Sequence, residues 1–245
     1  MLILPKSVHV EREEGAEDKL VEKTRTWLEK DSNRKDDEIH ASDLLDPRKA
    51  YWDRKNKTRL SNRAVGLFFT GKVLHAFFLS ALGGETGTNW KSDTGSKYHK
   101  DLQIYWSNDW EKGIIPYEFK TSRGKYEQKP SDLGGYLEQL LIYMVAKNST
   151  TGRLIVLMLN LPAPRGEGWG TYPQYRAYTV TVSKADLAKY RKQIIKTRKE
   201  LVDAIKRKKP DNLPLCREFK CGASQCPHYK KCKPPGRYGT RRFDK

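Results

Sequence analysis

The sequence predicts a mixed α/β fold in which helices flank one mixed β-sheet. Three observations lead to this prediction: long segments with helical periodicity, strand-length apolar runs between them, and the order helices, hairpin, helix, strand, strand, helix. A length of 245 residues suffices for one main core, and no apolar run approaches the ~20 residues of a membrane span. We therefore expect a globular, cytoplasmic protein.

The first part of the chain is predicted to be mainly helical. Residues 1–37 are strongly charged and form a peripheral segment with one weakly amphipathic stretch. Residues 42–54 begin with an N-cap serine and predict a short helix or a pair of helices, with a proline tolerated near the start. Residues 62–82 are predicted as a buried helix that two glycines end, with His75 near its middle.

The following part is predicted to contain the sheet and two further helices. Residues 101–106 and 113–121 are strand-like, and the Asn, Asp and Gly between them favour a hairpin. Ser183 and Asp186 form a capping box that begins a long basic helix. The remaining predicted elements are a helix over 131–148 and strands over 153–161 and 174–182.

The net charge of +18 is concentrated near the end of the chain. Residues 183–245 hold 20 Lys and Arg against 6 Asp and Glu. A local excess of this size favours a polyanionic partner, because binding to phosphates releases counterions, and nucleic acid is the leading candidate. The alternative is a solvated charged helix, which normally carries compensating acids one turn away.

All four cysteines lie within 17 residues. In a reducing compartment such a cluster favours a metal or iron–sulfur centre over two disulfides. We therefore treat residues 38–210 as the core domain and 211–245 as a separate cysteine-containing module. The four cysteines are Cys216, Cys221, Cys226 and Cys232.

Two carboxylates are candidates for a divalent-cation site. Antiparallel pairing in the predicted hairpin brings Asp101 and Glu118 to the same end of the sheet. Mg²⁺ or Mn²⁺ prefers such oxygen ligands, and the carbonyl of Phe119 is a further candidate. Lys120 shares a strand face with Glu118 and could stabilise charge on a phosphate. Asp109 is a rival ligand, but it falls in the predicted turn, too close to the strand end to face Glu118.

The pattern D-x₁₆-E-x-K on a hairpin resembles the PD-(D/E)xK nucleases, and residues 38 to 235 resemble their RecB-like branch. The resemblance implies a restriction-endonuclease-like fold and metal-dependent cleavage of DNA. His75, in the phrase GKVLHAFF, matches the position of an extra metal ligand in this branch. Gln139 and Tyr143 match a Q-x-x-x-Y motif that supports the active site and contacts DNA.

The phrase CPHYKKC resembles the closing cysteine pair of the iron–sulfur CRISPR adaptation nucleases. This resemblance implies a 4Fe-4S cluster and an integrase as a possible partner. The family usually supplies one cluster cysteine from a phrase like C-P-R-K-x-Y, whereas this chain has Asp46 in the cysteine's place. Cys216 could substitute for the missing ligand, or the four cysteines could hold zinc instead.

Three functions follow from these patterns. The first is a metal-dependent DNA exonuclease that acts on single strands or ends during CRISPR spacer acquisition. The second is a phage, recombination or repair exonuclease. The third is a non-catalytic DNA-binding scaffold that retains the nuclease fold.

Overall fold

The structure is a computed structural model that describes most of the chain. Residues Ala16–Asp31 and 59–72 form one compact unit, and the remaining described residues form another. The first two residues of the helix predicted over 131–148, the cysteine Cys221 and the tail after Cys232 lie outside the described residues. The described residues are 16–31, 35–56, 59–83, 90–92, 97–123, 133–162, 170–216 and 226–232.

The larger unit is built on a five-stranded mixed sheet, which confirms the predicted fold class. Its strand order is β1-β4-β5-β6-β7. Only β5 and β6 run parallel, whereas the other neighbouring pairs are antiparallel. The strands are β1 (Trp90–Ser92), β4 (Trp110–Lys112), β5 (Ile115–Ser122), β6 (Thr151–Pro162) and β7 (Thr171–Thr181).

Two short strands form a separate antiparallel pair. These are β2 (Lys97–His99) and β3 (Ile104–Trp106). The backbone N–H of Tyr105 donates to the carbonyl of Ile39 at 2.7 Å, so β3 also contacts the segment that precedes the helices of this unit.

A helical crossover explains the parallel pair. Helix α4 (Gly134–Ala146) connects β5 to β6, and parallel neighbours require such a connection. Leu140 and Met144 of α4 are fully buried against Leu154 and Met158 of β6 in one hydrophobic core. The crossover therefore fixes α4 over the strand that carries Glu118 and Lys120.

Helix α5 (Lys184–Arg207) begins as predicted. The hydroxyl of Ser183 accepts a hydrogen bond from the backbone N–H of Asp186 at 3.0 Å. Its apolar face is buried through Leu187, Ile194 and Leu201, because these residues recur at helical spacing. The lysines of α5 are exposed on its outer surface.

The prediction that residues 101–106 and 113–121 form a hairpin is wrong, because these strands do not pair with each other. The strand β3 pairs with β2, whereas β5 pairs with β4, which lies inside the segment predicted as a turn. The turn consists of Gly113 and Ile114, and Gly113 has a φ of +61°, a conformation that glycine adopts without strain. A two-residue turn leaves Asp109 beside β5 rather than in a loop.

The smaller unit contains α1 (Ala16–Asp31) and the first part of α3 (Asn62–Gly83). Arg25 is buried there and donates from Nε to the carbonyl of Leu60 at 2.9 Å. The prediction that this part of α3 is buried is wrong, because Leu67, Phe68 and Phe69 are exposed.

Helix α2 (Pro47–Lys55) anchors the segment that carries the cysteines. Its Arg48 is buried and donates to the carbonyls of Asp211 and Leu213 at 2.8–3.1 Å. Further along α2, Asp53 Oδ1 lies 2.7 Å from His228 Nε2. Both ends of the described cysteine module therefore contact the same helix. The last helix, α6 (Tyr229–Cys232), follows directly.

Among the described residues, no helix is both long and apolar enough to cross a bilayer.

We predict that Leu201→Ala lowers the free energy of unfolding by about 2–5 kcal/mol, because Leu201 is fully buried and truncation leaves a cavity. The matched control is Ile195→Ala on the same helix, where the side chain is 42% exposed and a change within about 0.5 kcal/mol is expected. Urea unfolding measures both. Equal losses would contradict the assignment of the buried face.

Candidate active site

The pairing of β4 with β5 places Asp109 next to Glu118. Trp110 is opposite Tyr117 in the register, so Asp109, the residue just before β4, faces Glu118 of β5. The backbone N–H of Asp109 donates to the carbonyl of Tyr117 at 3.1 Å. Its carboxylate Oδ2 accepts from the N–H of Phe119 at 2.5 Å. Two backbone contacts therefore fix Asp109 against the centre of β5.

His75 binds the other oxygen of the same carboxylate. Its Nε2 lies 2.6 Å from Asp109 Oδ1, and its ring lies 6.0 Å from the ring of Phe119. The side chain of Asp109 is thus held on one side by a backbone N–H and on the other by an imidazole. This orientation leaves little freedom to its carboxylate.

Glu118 and Lys120 lie side by side, as their spacing on one strand predicts. Lys120 Nζ contacts Glu118 Oε1, and Glu118 is only 1% exposed. The second oxygen, Oε2, is buried and accepts no hydrogen bond from any described residue. A buried carboxylate oxygen without a donor is costly, which indicates that a cation or water belongs there.

Burial and neighbouring charges change the acidity of this pair. Burial raises the pKa of Glu118 to about 8, although Lys120 opposes the shift and Asp109 adds to it. Burial alone would lower the pKa of Lys120, but the carboxylates of Glu118 and Asp109 outweigh it and raise that pKa. The lysine is therefore held as an ammonium ion between two acidic groups.

Asp101 is not part of this cluster. It lies in the turn between β2 and β3, its side chain is 72% exposed, and its carboxylate binds Arg191 Nη2 at 2.9 Å. The expectation that hairpin pairing brings Asp101 beside Glu118 is wrong, because the strand after Asp101 pairs with β2 and not with β5. Asp109 occupies the position beside Glu118 that was expected for Asp101.

Gln139 and Tyr143 contact each other on α4. Gln139 Nε2 donates to the Tyr143 hydroxyl at 2.6 Å, as the i, i+4 spacing allows. Tyr143 is buried, and its ring lies 6.0 Å from that of Trp106. On the same helix the Tyr136 hydroxyl lies near enough to Lys120 to raise its pKa. Sequence reasoning missed Tyr136, although it precedes Gln139 by one helical turn.

Three described cysteines line one small pocket against α2. Cys216, Cys226 and Cys232 share it with His228, and none of the three forms a disulfide. Thiols and imidazole are suitable donors for zinc or, in the case of thiols, an iron–sulfur cluster.

The donors of the first cluster suit Mg²⁺ or Mn²⁺ in chemistry. Asp109 and Glu118 offer carboxylate oxygens and His75 an imidazole, and the buried Oε2 of Glu118 lacks a partner. Within the described ranges no three His, Cys, Asp or Glu side chains converge closely enough to hold an ion as they stand. This holds for the described cysteines and His228 as well as for His75, Asp109 and Glu118.

The chain resembles several solved structures. The crystal structure of SSO0001 matches with a TM-score of 0.51 at 19% identity, over 75% of this chain and 88% of that one, which shows a shared fold. An alkaline exonuclease, LHK-Exo, from Laribacter hongkongensis matches with a TM-score of 0.46 at 17% identity, over 70% and 92% of the two chains. A phage-related exonuclease from Haemophilus somnus 129PT matches with a TM-score of 0.44 at 12% identity, over 74% and 99%. No protein-family model matches the sequence, and no curated protein does.

We predict that Glu118 makes the metal-free protein less stable as the pH rises. Its pKa increases from an ordinary value of 4.5 to about 8 on folding. Its contribution to stability is therefore complete below the lower value and is lost as the pH rises through the higher one.

The measurement is the free energy of unfolding of wild type and Glu118→Gln in EDTA, between about pH 5 and 8. The difference, wild type minus variant, should decrease steadily across this interval. A constant difference would show that Glu118 titrates normally.

Proposed function

We propose that this protein is a metal-dependent nuclease that hydrolyses phosphodiester bonds in DNA, as an exonuclease on single strands or ends. The observation that carries the proposal is the meeting of Asp109, Glu118 and Lys120 at the central strand β5 of the sheet. With Asp109 in the place of Asp101, the spacing is D-x₈-E-x-K, which keeps the order of residues in the PD-(D/E)xK pattern.

Each residue has a chemical role in this proposal. Asp109 and Glu118 would hold Mg²⁺ or Mn²⁺, which lowers the pKa of water and offsets phosphate charge. Lys120, held as an ammonium ion, would stabilise the negative charge that grows on the phosphate during attack. His75 orients Asp109 through Oδ1 or provides a further ligand. The carbonyl of Phe119 stays a candidate ligand. The N–H of the same residue holds Asp109 in place.

We propose DNA as the substrate because the protein carries a large positive charge. The outer surface of α5 carries Lys189, Lys192, Lys196 and Lys199, and the chain as a whole has a net charge of +18. Gln139 and Tyr143 are proposed to support the site from α4. The narrower resemblance to CRISPR adaptation nucleases, with an integrase as partner, stays a prediction.

We predict that Asp109→Asn abolishes cleavage and that Asp101→Asn does not. The amide of asparagine lacks the charge that the cation needs, and the loss should exceed the about 10- to 100-fold typical of residues that only support a ligand. Cleavage of labelled single-stranded and double-stranded DNA with Mn²⁺ measures both variants.

Two controls make this comparison decisive. EDTA should stop cleavage by the wild type, and DNA binding by Asp109→Asn should persist because phosphate contacts lie elsewhere. Loss of activity in Asp101→Asn alone would restore the original assignment. DNA binding without EDTA-sensitive cleavage in the wild type would favour the non-catalytic scaffold.

We also propose that Cys216, Cys221, Cys226 and Cys232 hold a metal centre, either a 4Fe-4S cluster or zinc. The support is that the three described thiols line one pocket. The centre would stabilise the module on α2, since metal binding of this kind contributes to folding.

We predict that Cys226→Ser loses this centre. Anaerobically purified wild type should contain iron and sulfide with absorbance near ~400 nm, or else about one equivalent of zinc. The control is Lys231→Ala, which removes only an exposed hydrogen bond to Asn56 and should keep the metal. Wild type free of both metals would refute the centre.

A further inference from the structure

Three neighbouring rings lie at the β2–β3 hairpin, and we name them the aromatic platform. Tyr98 and Tyr105 belong to the hairpin, and His40 belongs to the segment that pairs with Tyr105. The ring of Tyr105 stacks on that of His40 with centroids 5.3 Å apart and an interplanar angle of 26°. Tyr98 is opposite Tyr105 in the strand register, and their centroids are 5.1 Å apart. Tyr98 ends this row and is 51% exposed.

The platform lies next to positive charge. Lys97 and Lys100 flank Tyr98 in sequence and are exposed. The nearby acid Asp101 is neutralised by Arg191, which belongs to the basic helix α5. This ion pair also ties α5 to the turn of the β2–β3 hairpin. Exposed rings and the basic helix therefore belong to one region of the surface.

The platform is close to the candidate active site along the chain. Tyr105 precedes Asp109 by four residues, and an extended chain of four residues spans at most about 14 Å. Trp106 follows Tyr105 and lies on the other face of β3. It packs on Tyr143 in the core, which fixes the strand. The backbone of the platform at Tyr105 is thus within about 14 Å of the backbone of Asp109, the residue that faces Glu118.

We propose that the aromatic platform binds unpaired bases of a single DNA strand by stacking. Aromatic side chains combined with a positively charged surface are the usual means of binding single strands, because every base has a flat face and every nucleotide a phosphate. Bases in a duplex are already stacked and cannot use the exposed ring of Tyr98. This inference rests on the proposed function, which identifies the ligand as DNA. It adds that the DNA bound at the platform is single-stranded.

The simpler role of these rings is to stabilise the hairpin, since cross-strand aromatic pairs do so. That role explains the contact between Tyr98 and Tyr105. It does not require the outer ring to be half exposed beside lysines. The two roles also differ in what they predict, because hairpin stability is independent of DNA strandedness.

The experiment measures binding in EDTA, so that cleavage plays no part. The probe is a single-stranded DNA of about 12 nucleotides that contains 2-aminopurine, and its duplex serves for comparison. Tyr98→Leu should weaken single-strand binding about 5- to 160-fold, the equivalent of ~1–3 kcal/mol for one stacked base. Tyr98→Phe should bind as the wild type does, because the ring is kept.

The matched control is Tyr175→Leu, which removes a tyrosine of 54% exposure from β7. It should leave binding unchanged. Equal losses for single strand and duplex in Tyr98→Leu, or an unchanged affinity, would overturn the proposal. Cross-linking of wild type to DNA with 5-iodouracil tests it without any substitution: adducts should form on Tyr98 or Tyr105, and adducts confined to other segments would overturn it.

The failure of this inference differs from the failure of the proposed nuclease. If the wild type cleaves DNA but Tyr98→Leu keeps its affinity, only the platform is wrong. If single-strand binding depends on Tyr98 but no cleavage occurs with Mn²⁺, the platform stands and the nuclease is wrong.

Discussion

The register between β4 and β5 is the constraint on which the candidate site depends. It is set by the two-residue turn at Gly113 and Ile114, and it places the carboxylate of Asp109 against the backbone N–H of Phe119. A shift of β4 by one residue would turn the side chain of Asp109 to the opposite face of the sheet, away from Glu118 and Lys120, which β6 also holds in register. The position of Asp109 beside these two residues therefore follows from one short hairpin.

The site keeps a buried carboxylate at a cost in stability. Glu118 is desolvated, has one oxygen without a hydrogen-bond donor, and is compensated mainly by Lys120. A buried ion pair of this kind contributes little to stability, so folding alone does not explain it. The proposed function, in which a cation binds the carboxyl group of Glu118 and Lys120 stays beside it as an ammonium ion, would explain it. Helix α4 covers the pair and limits access of water to it.

The sequence predicted the features that depend on local pattern. The serine cap of α5 at Ser183, the buried face of α5 and the common face of Glu118 and Lys120 follow from local sequence and are observed. The identity of the carboxylate beside Glu118 could not be predicted in this way, because strand pairing depends on contacts distant in sequence. The glycine at 113 was the available signal: a turn there makes Asp109, and not Asp101, the residue opposite Glu118. The exposure of Phe68 also could not be predicted, because an apolar helix does not indicate which of its residues are covered.

The most direct test of the central claim is a crystal structure with Mn²⁺, in which anomalous scattering locates the ion. The account predicts a peak bonded directly to the carboxylates of Asp109 and Glu118, at roughly 2 Å. Lys120 should then release Oε1 of Glu118 and turn toward the open side of the site. A peak at Asp101, or no peak with the contact between Asp109 and His75 unchanged, would contradict the account.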